Sequence, residues 1–311
     1  MHCRKLNLYL MLYNWKSCNI VNHVHTANTE ALTKGVKYMI NIAEMIQAEN
    51  KNGYVQTDQA SAKVAQDLIL VAISGSSVNK NIAIKGGVVM MNKTQNVRRA
   101  TRDIDLSFIH YSLSDESIND FVSQLHIPGI KFQRVGKIEE LHQQDYHGKR
   151  IYVLITDMFG NSLKTKMDIG VHNRLNIEQD ECSFNAVIDN QRQEFKILVN
   201  SNEQIFAEKL RSLIKFKTVS TRFKDIADLY YLSDKVNTAK LRECVDTYIL
   251  SDTELPQYNN VDDILKVLNV IASNKKYNKK YKKRVISSKQ LWIDDDIDEM
   301  FSVIIHTLEK I

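Results

Sequence analysis

The pattern of apolar residues changes near residue 200, and this change constrains the fold more than any other feature of the sequence. Before it, the segments 129–135, 149–159, 164–171 and 194–199 are short, apolar and β-branched, as strands are. After it, apolar residues recur every three or four positions, as in amphipathic helices. The sequence therefore predicts an α+β fold, in which a mixed β-sheet flanked by helices is followed by a C-terminal helical domain.

The predicted organisation has three parts. Residues 1–30 show no clear period and are interpreted as a peripheral N-terminal segment. Residues 31–200 form the core, in which two amphipathic helices over 30–47 and 58–73 lead into the sheet. Residues 201–311 form the helical domain. The order of the strands cannot be read from a single sequence.

The composition is that of a globular protein. Of 311 residues, 43% are hydrophobic and 25% are charged. No stretch approaches the roughly 18 apolar residues that span a membrane, and the start of the chain lacks the features of a secretory signal. The four cysteines form no CxxC pair, which favours reduced thiols. We therefore predict a cytoplasmic protein without a membrane partner. The net charge of +5 favours nucleic acid or phosphate ligands only mildly.

Three aspartates occupy alternating positions in predicted strands. Asp103 and Asp105 alternate with apolar residues over 103–108, so both carboxylates project to the same side of a strand. Asp168 lies between two apolar residues on a separate predicted strand. Three carboxylates of this kind are hard ligands that suit Mg²⁺, or Mn²⁺, in two-cation chemistry. The alternative is that they are polar residues on the wet face of a sheet.

A glycine turn precedes these aspartates. Lys85, Gly86 and Gly87 follow a short apolar run and come before a segment that can begin a helix. Without side chains, such a turn lets a triphosphate approach the backbone N–H groups of a helix start, although an ordinary turn has the same sequence. Arg99 and Thr101 are positioned to orient the aspartates or the triphosphate, or have an ordinary loop role.

Four sequence blocks together resemble a known family. They are KGG followed by RATRDIDL (85–87 and 99–106), KMDIG (166–170), AEKL (207–210) and RFKDIADL (222–229). In this order they are similar to the motifs of the AbiEii/AbiGii (MenT-like) nucleotidyltransferase toxins, within the polymerase-beta-like nucleotidyltransferase superfamily. One departure is Val88-Val89-Met90, where members of the family often carry Thr-Ala-Leu.

The resemblance implies roles for individual residues. Asp103, Asp105 and Asp168 would bind the metal, Lys209 the phosphates, and Asp225 or Asp228 would have an essential acidic role. Nucleotide binding would involve the residues of the first and third blocks, namely Lys85, Gly86, Gly87, Arg99, Thr101 and Lys209. The residues alone leave simpler alternatives: Lys209 could be a solvated lysine on a helix, and Asp225 and Asp228 could form ion pairs within a helix that begins near Arg222.

The resemblance also implies an activity. It is the magnesium-dependent transfer of a nucleoside monophosphate from an NTP to the 3′ end of tRNA, with release of pyrophosphate. The family further implies a type IV toxin–antitoxin or abortive infection system that defends against phage, with an antitoxin encoded nearby. Two alternatives remain open: a nucleotidyltransferase acting on a small molecule, such as an aminoglycoside, and a non-catalytic GTP-binding protein.

A strongly basic run, KKYNKKYKKR, lies at 275–284. Its cations could bind the phosphate backbone of RNA while Tyr277 and Tyr281 stack on bases. The alternative is a solvated, mobile loop between two helices. The seven cations are Lys275, Lys276, Lys279, Lys280, Lys282, Lys283 and Arg284.

Overall fold

The computed structural model describes residues 39–54, 57–141, 148–171, 178–288 and 296–311. The predicted peripheral segment 1–30 lies outside these residues. Residues Ile40–Ile311 form one compact unit. Among the described residues, no helix combines the length and the apolar character that crossing a lipid bilayer requires.

Seven strands form one mixed sheet. They are β1 (Ile82–Lys85), β2 (Ile104–Phe108), β3 (Ile130–Leu141), β4 (Gly148–Asp157), β5 (Ser162–Val171), β6 (Asp180–Ile188) and β7 (Gln191–Val199). Their order across the sheet is β3-β4-β5-β2-β1-β7-β6. The β2–β5 and β1–β7 pairs are parallel, whereas the other neighbours are antiparallel. The predicted mixed sheet and α+β class are confirmed.

Four described helices precede or separate the strands: α1 (Ile42–Lys51), α2 (Thr57–Ser74), α3 (Gly86–Thr94) and α4 (Asp115–Gln124). Six follow the last strand: α5 (Asn202–Phe216), α6 (Phe223–Leu232), α7 (Thr238–Val245), α8 (Val261–Ala272), α9 (Lys275–Ser288) and α10 (Ile297–Leu308). A π-helical turn, Asp246–Leu250, continues α7.

The change from strands to helices occurs where the sequence pattern changes. Strand β7 ends at Val199, and Ser201 caps α5 by accepting a hydrogen bond from the Gln204 amide. The Gln204 side chain accepts one from the Ser201 amide in return, which completes a capping box. The backbone amide of Asn200 donates to the Ile84 carbonyl, so this junction is attached to the centre of the sheet.

The two faces of the sheet differ in chemistry. Along β4, Ile151, Val153 and Ile155 are buried, whereas Arg150 and Tyr152 are partly exposed. The register places the apolar residues of β2 and β5 on the same face as Ile151. The other face, which we call the polar face, carries Arg150, Tyr152, Leu154 and Thr156 of β4 and their neighbours in register on β3 and β5. This alternation follows from the period of two along a strand.

The basic run is a helix, α9, rather than a loop. Tyr277 and Tyr281 are only 1% and 2% exposed. Their rings lie 5.2 and 5.6 Å from the ring of Phe223 on α6. The expectation that these tyrosines stack on bases is therefore wrong, because residues four apart share one helix face and this face packs into the core. The seven cations, by contrast, are all exposed.

Candidate active site

Four charged residues form one row across the centre of the sheet. The register pairs Lys85 of β1 with Asp105 of β2, Asp105 with Asp168 of β5, and Asp168 with Arg150 of β4. Residues directly opposite one another on paired strands project to the same face. The structure thus brings two of the three predicted metal ligands, Asp105 and Asp168, side by side between two cations.

Two of the three predicted metal ligands are held by cations of the protein. The Arg150 guanidinium donates from Nε and Nη2 to the two Asp168 carboxylate oxygens, at 2.8 and 2.9 Å. Such a fork-like pair is among the stronger charge-assisted interactions. Lys166 Nζ lies 2.9 Å from Asp103 Oδ1, where the Asp103 side chain is 44% exposed. Asp103 therefore lies at the open edge of the site.

Asp105 lies between Lys85 and Asp168 in the charged row. Burial raises its pKa to about 6, with Lys85 opposing the rise and the Asp168 and Asp103 carboxylates adding to it. Lys209 also lowers this pKa, which places that lysine within electrostatic reach of Asp105. The net rise means that burial and the neighbouring carboxylates together outweigh the two lysines at Asp105.

The glycine turn allows Asp105 to lie close to its backbone. Gly86 begins α3 with φ +67°, a left-handed conformation that favours glycine, and a Cβ here would overlap Asp105 Oδ2. A Cβ at Gly87 would lie 2.7 Å from the Thr101 Cβ and Oγ1 atoms. Lys85 is the N-cap residue, and its side chain makes no capping hydrogen bond. The positive end of the helix dipole therefore starts directly beside the carboxylates.

A buried ion network lies next to the row. Lys209 Nζ is 2.7 Å from both Asp225 Oδ1 and Asp228 Oδ2. Arg99 donates from Nε and Nη2 to the two oxygens of Asp228, each at 2.6 Å. All four side chains are buried. The network therefore contains two cations and two anions, which compensate each other away from water.

The ion pairs of this network determine the charge states of Asp228 and Lys209. Burial opposes ionisation of Asp228, but Lys209 and Arg99 outweigh it and hold the Asp228 pKa below its ordinary value. Burial likewise lowers the Lys209 pKa, but Asp225 and Asp228 outweigh that effect and raise it. The alternative that Lys209 is a solvated lysine is therefore wrong. An intrahelical pair does exist, because Arg222 Nε lies 2.7 Å from Asp225 Oδ2.

Several residues that support this site carry no strong signal in the sequence. Arg150 and Lys166 pair with the carboxylates, as described above. The Gln66 amide donates to the Thr101 carbonyl at 2.9 Å, and Lys224 Nζ donates to the Ala100 carbonyl at 3.2 Å. Arg150 occupies a polar position in an alternating strand, which is a weak signal. Its pairing with Asp168 depends on the strand register, which the sequence does not reveal.

The carboxylates of the site have the donor chemistry that a divalent cation requires. No group of three or more His, Cys, Asp or Glu side chains in the described part of the chain is arranged to hold a metal ion. The carboxylates of Asp103, Asp105 and Asp168 are nevertheless the hard oxygen donors that Mg²⁺ prefers. Gly86 allows the Asp105 carboxylate to lie against the start of α3, where a Cβ would overlap Asp105 Oδ2. A cation bound here would compete with Arg150 and Lys166.

Comparison with known proteins gave one match to a family. The family model described as "Nucleotidyl transferase AbiEii toxin, Type IV TA system" matches residues 68–301. The matched region contains the charged row, the glycine turn and the buried ion network. A search of curated proteins gave no match.

Proposed function

The chain belongs to the AbiEii nucleotidyl transferase toxin family of type IV toxin–antitoxin systems, and we propose from this premise how its residues act. As a member, the protein is a nucleotidyltransferase. We propose that it uses Mg²⁺ or Mn²⁺ to transfer a nucleoside monophosphate from an NTP to the 3′ end of tRNA. The observation that carries this proposal is the pair of adjacent carboxylates, Asp105 and Asp168, of which Asp105 lies against the helix start at Gly86.

The reaction joins an acceptor hydroxyl to the α-phosphorus of the NTP. The hydroxyl oxygen bonds to that phosphorus, the bond between the phosphorus and the α–β bridging oxygen breaks, and the β- and γ-phosphates leave as pyrophosphate. Asp103, Asp105 and Asp168 would hold the divalent cations. When bound, these cations supply charge stabilisation for the entering and departing oxygens. We assign acceptance of the hydroxyl proton to Asp168.

The other site residues would act on the triphosphate. The start of α3 at Gly86 and Gly87 provides backbone N–H groups for phosphate oxygens, and Lys85 lies in register with Asp105. Lys209 adds positive charge within electrostatic reach of Asp105. Its two carboxylate partners fix it in place, so we propose that Lys209 acts as a fixed charge on the phosphates. Arg99 and Thr101 are assigned to holding this environment.

Helix α9 is proposed to help dock the tRNA. Its seven cations are exposed, and its buried tyrosines fix the helix against α6. Burial lowers the pKa of Lys224, and Arg99, Arg102 and Arg284 lower it further against the opposing effect of Asp228, so Arg284 of α9 and Arg99 of the ion network both lie within electrostatic reach of Lys224. A series of fixed cations next to a catalytic site suits the phosphates of a large nucleic acid.

The family implies an antitoxin partner, and we propose that it is encoded nearby and that the pair defends against phage by abortive infection. Membership of a nucleotidyltransferase family favours an enzyme over the non-catalytic GTP-binding alternative. An acceptor that is a small molecule, for example an aminoglycoside, is an outcome of the following test.

The test is to incubate the purified protein with each α-labelled NTP, magnesium and total tRNA, and to resolve the products on a denaturing gel. The matched variants are the Asp103→Ala, Asp105→Ala double variant and a control, Asp262→Ala, at an exposed position on α8. We expect label on tRNA with the wild type and with the control, and none with the double variant or with a chelator. NTP binding without label on tRNA would contradict the tRNA proposal and would direct the search to a small-molecule acceptor.

A further inference from the structure

The polar face of β3, β4 and β5 continues outward from the charged row. One step of two residues along β4, about 6.6 Å, leads from Arg150 to Tyr152. Tyr152 lies in register with Lys166 on β5. The next step leads to Leu154, which lies in register with Lys164. The polar face therefore runs from the carboxylates toward the β4–β5 turn.

This face carries several cations and an aromatic ring, together with Glu139, which lies in register with Arg150. Lys164 Nζ lies 4.5 Å from the centre of the Tyr152 ring, in a cation–π contact. At the outer end, the exposed Lys131 of β3 lies in register with Thr156. At the inner end, Arg150 and Lys166 adjoin Asp168 and Asp103. A partly exposed tyrosine among cations on a sheet surface is the arrangement by which proteins stack and neutralise single-stranded nucleic acid.

From these observations we propose that the polar face binds the single-stranded end of the nucleic acid acceptor and directs its terminal hydroxyl to Asp168. This inference rests on the proposed function, because it names the place where that acceptor lies. Tyr152 would stack on a base, and Lys164 and Lys131 would neutralise phosphates. Tyr152 is thus a binding residue for the acceptor.

The length of the polar face distinguishes a single-stranded nucleic acid from a mononucleotide as its ligand. The distance from Arg150 to Thr156 along β4 is about 20 Å for six residue steps. A single nucleotide bound at the charged row does not reach Lys131 at the outer end, whereas a strand of several nucleotides does. A variant on this face that loses affinity for an oligonucleotide but keeps its affinity for an NTP would therefore show that the face binds the nucleic acid and not the NTP.

The experiment measures binding of a fluorescein-labelled single-stranded RNA of eight nucleotides by fluorescence anisotropy, without NTP. We expect Tyr152→Leu to weaken binding at least about fivefold, because one stacked base is lost. Tyr152→Phe, which keeps the ring, should stay within about twofold of the wild type. Lys164→Ala should weaken binding, whereas Lys266→Ala, which removes one exposed lysine from α8, should not.

Three results overturn the inference: absence of RNA binding by the wild type, equal affinities of Tyr152→Leu and wild type, or an equal effect of Lys266→Ala and Lys164→Ala. NTP binding and melting temperature are measured for every variant, which separates a local loss from unfolding. If the variants lose RNA binding as expected but the wild type labels no RNA, the proposed transfer fails and the binding face stands. If the wild type labels RNA and Tyr152→Leu labels it equally, the binding face fails and the transfer stands.

Discussion

Asp228 has no exposed surface, and it is nevertheless held ionised because Arg99 and Lys209 together contribute three contacts to its two oxygens. An isolated buried carboxylate would be costly, so its partners are part of the same structural unit. The network joins the segment before β2 to α5 and α6, which carry Lys209 and Asp228. At the residue scale, Lys209 and Arg99 of this network contribute to the electrostatic environment of Asp105.

Replacing Asp228 by Asn tests this network. The variant keeps the side-chain volume but leaves Arg99 and Lys209 with only the Asp225 carboxylate between them. We expect the free energy of unfolding to fall by about 3–5 kcal/mol, as it does when a buried pair loses one partner. Urea unfolding measures the loss. The control is Asp246→Asn, which breaks the exposed Arg242–Asp246 pair and should cost no more than about 0.5 kcal/mol. Equal losses in the two variants would show that the buried network does not stabilise the fold.

The sequence predicted the individual residues of the site better than their pairings. Alternation along a strand predicts that Asp103 and Asp105 share one face, because the side-chain period of a strand is fixed, whereas the observed strand β2 begins at Ile104 and includes only Asp105. The partners of these residues come from other strands. Arg150 meets Asp168 because β4 and β5 pair in one particular register, and one residue of slip would turn Arg150 to the other face.

Among the elements, the start of α3 is the one most tightly adapted to the site. Its first residue, Gly86, has a positive φ and is in contact with Asp105, so a side chain there would be both strained and obstructed. The sequence indicated the turn through its paired glycines. The reason for the glycines, which is the close approach of the carboxylate, required the antiparallel pairing of β1 and β2.

Gly86→Ala and Gly160→Ala form a matched pair of tests. Both glycines have a positive φ, but a Cβ at Gly160 would meet no atom within 4 Å. Both variants should lose about 1 kcal/mol of stability through backbone strain. Only Gly86→Ala should also displace Asp105 and reduce transfer at least about tenfold, since small displacements of catalytic groups are costly. Transfer of label and thermal melting measure the two effects. Equal activities of the two variants would mean that transfer does not depend on the position of Asp105 that Gly86 allows.

Two elements, β6 and α9, differ from what the sequence predicts. Strand β6 was not predicted, because its segment, DECSFNAVI, places only Phe184, Ala186 and Ile188 toward the core among polar residues. Helix α9 was interpreted as a solvated loop or an RNA-binding run, because its two tyrosines are too few to suggest a buried face. In both cases the deciding contacts come from other parts of the chain, such as Phe223 for α9.

The whole molecule combines a sheet with a helical region inside one compact unit, Ile40–Ile311. The division at residue 200 describes a change of secondary structure within that unit, and its status as a domain boundary stays a prediction. The ion network and the packing of α9 on α6 both cross between regions that are distant in sequence. Such long-range pairings are what a single sequence specifies least.

At this scale, the exposed charge of α9 can be tested separately from the fold. The double variant Lys279→Glu, Lys280→Glu reverses two exposed charges while Tyr277 and Tyr281 stay in the core. We expect tRNA binding to weaken at least about tenfold and to depend less on salt, because fewer phosphate counterions are released. Unfolding free energy should change by no more than about 0.5 kcal/mol.

The charge-matched control for α9 is Lys51→Glu, Lys240→Glu, at exposed positions on α1 and α7. It reverses the same number of charges elsewhere on the surface. Nitrocellulose filter binding at several salt concentrations measures affinity for all three proteins. If the control weakens tRNA binding as much as the α9 variant, the effect belongs to net charge and α9 is not a docking element.

The separation of 129 residues between Arg99 and Asp228 has a consequence for biosynthesis. A ribosome that has translated the three candidate metal ligands has not yet made α5 or α6, so Arg99 has neither Asp228 nor Lys209 beside it. The nascent chain therefore cannot complete its ion network until α6 has left the exit tunnel. A translation product that ends before Asp228 therefore lacks the carboxylate that both Arg99 and Lys209 contact in the finished protein.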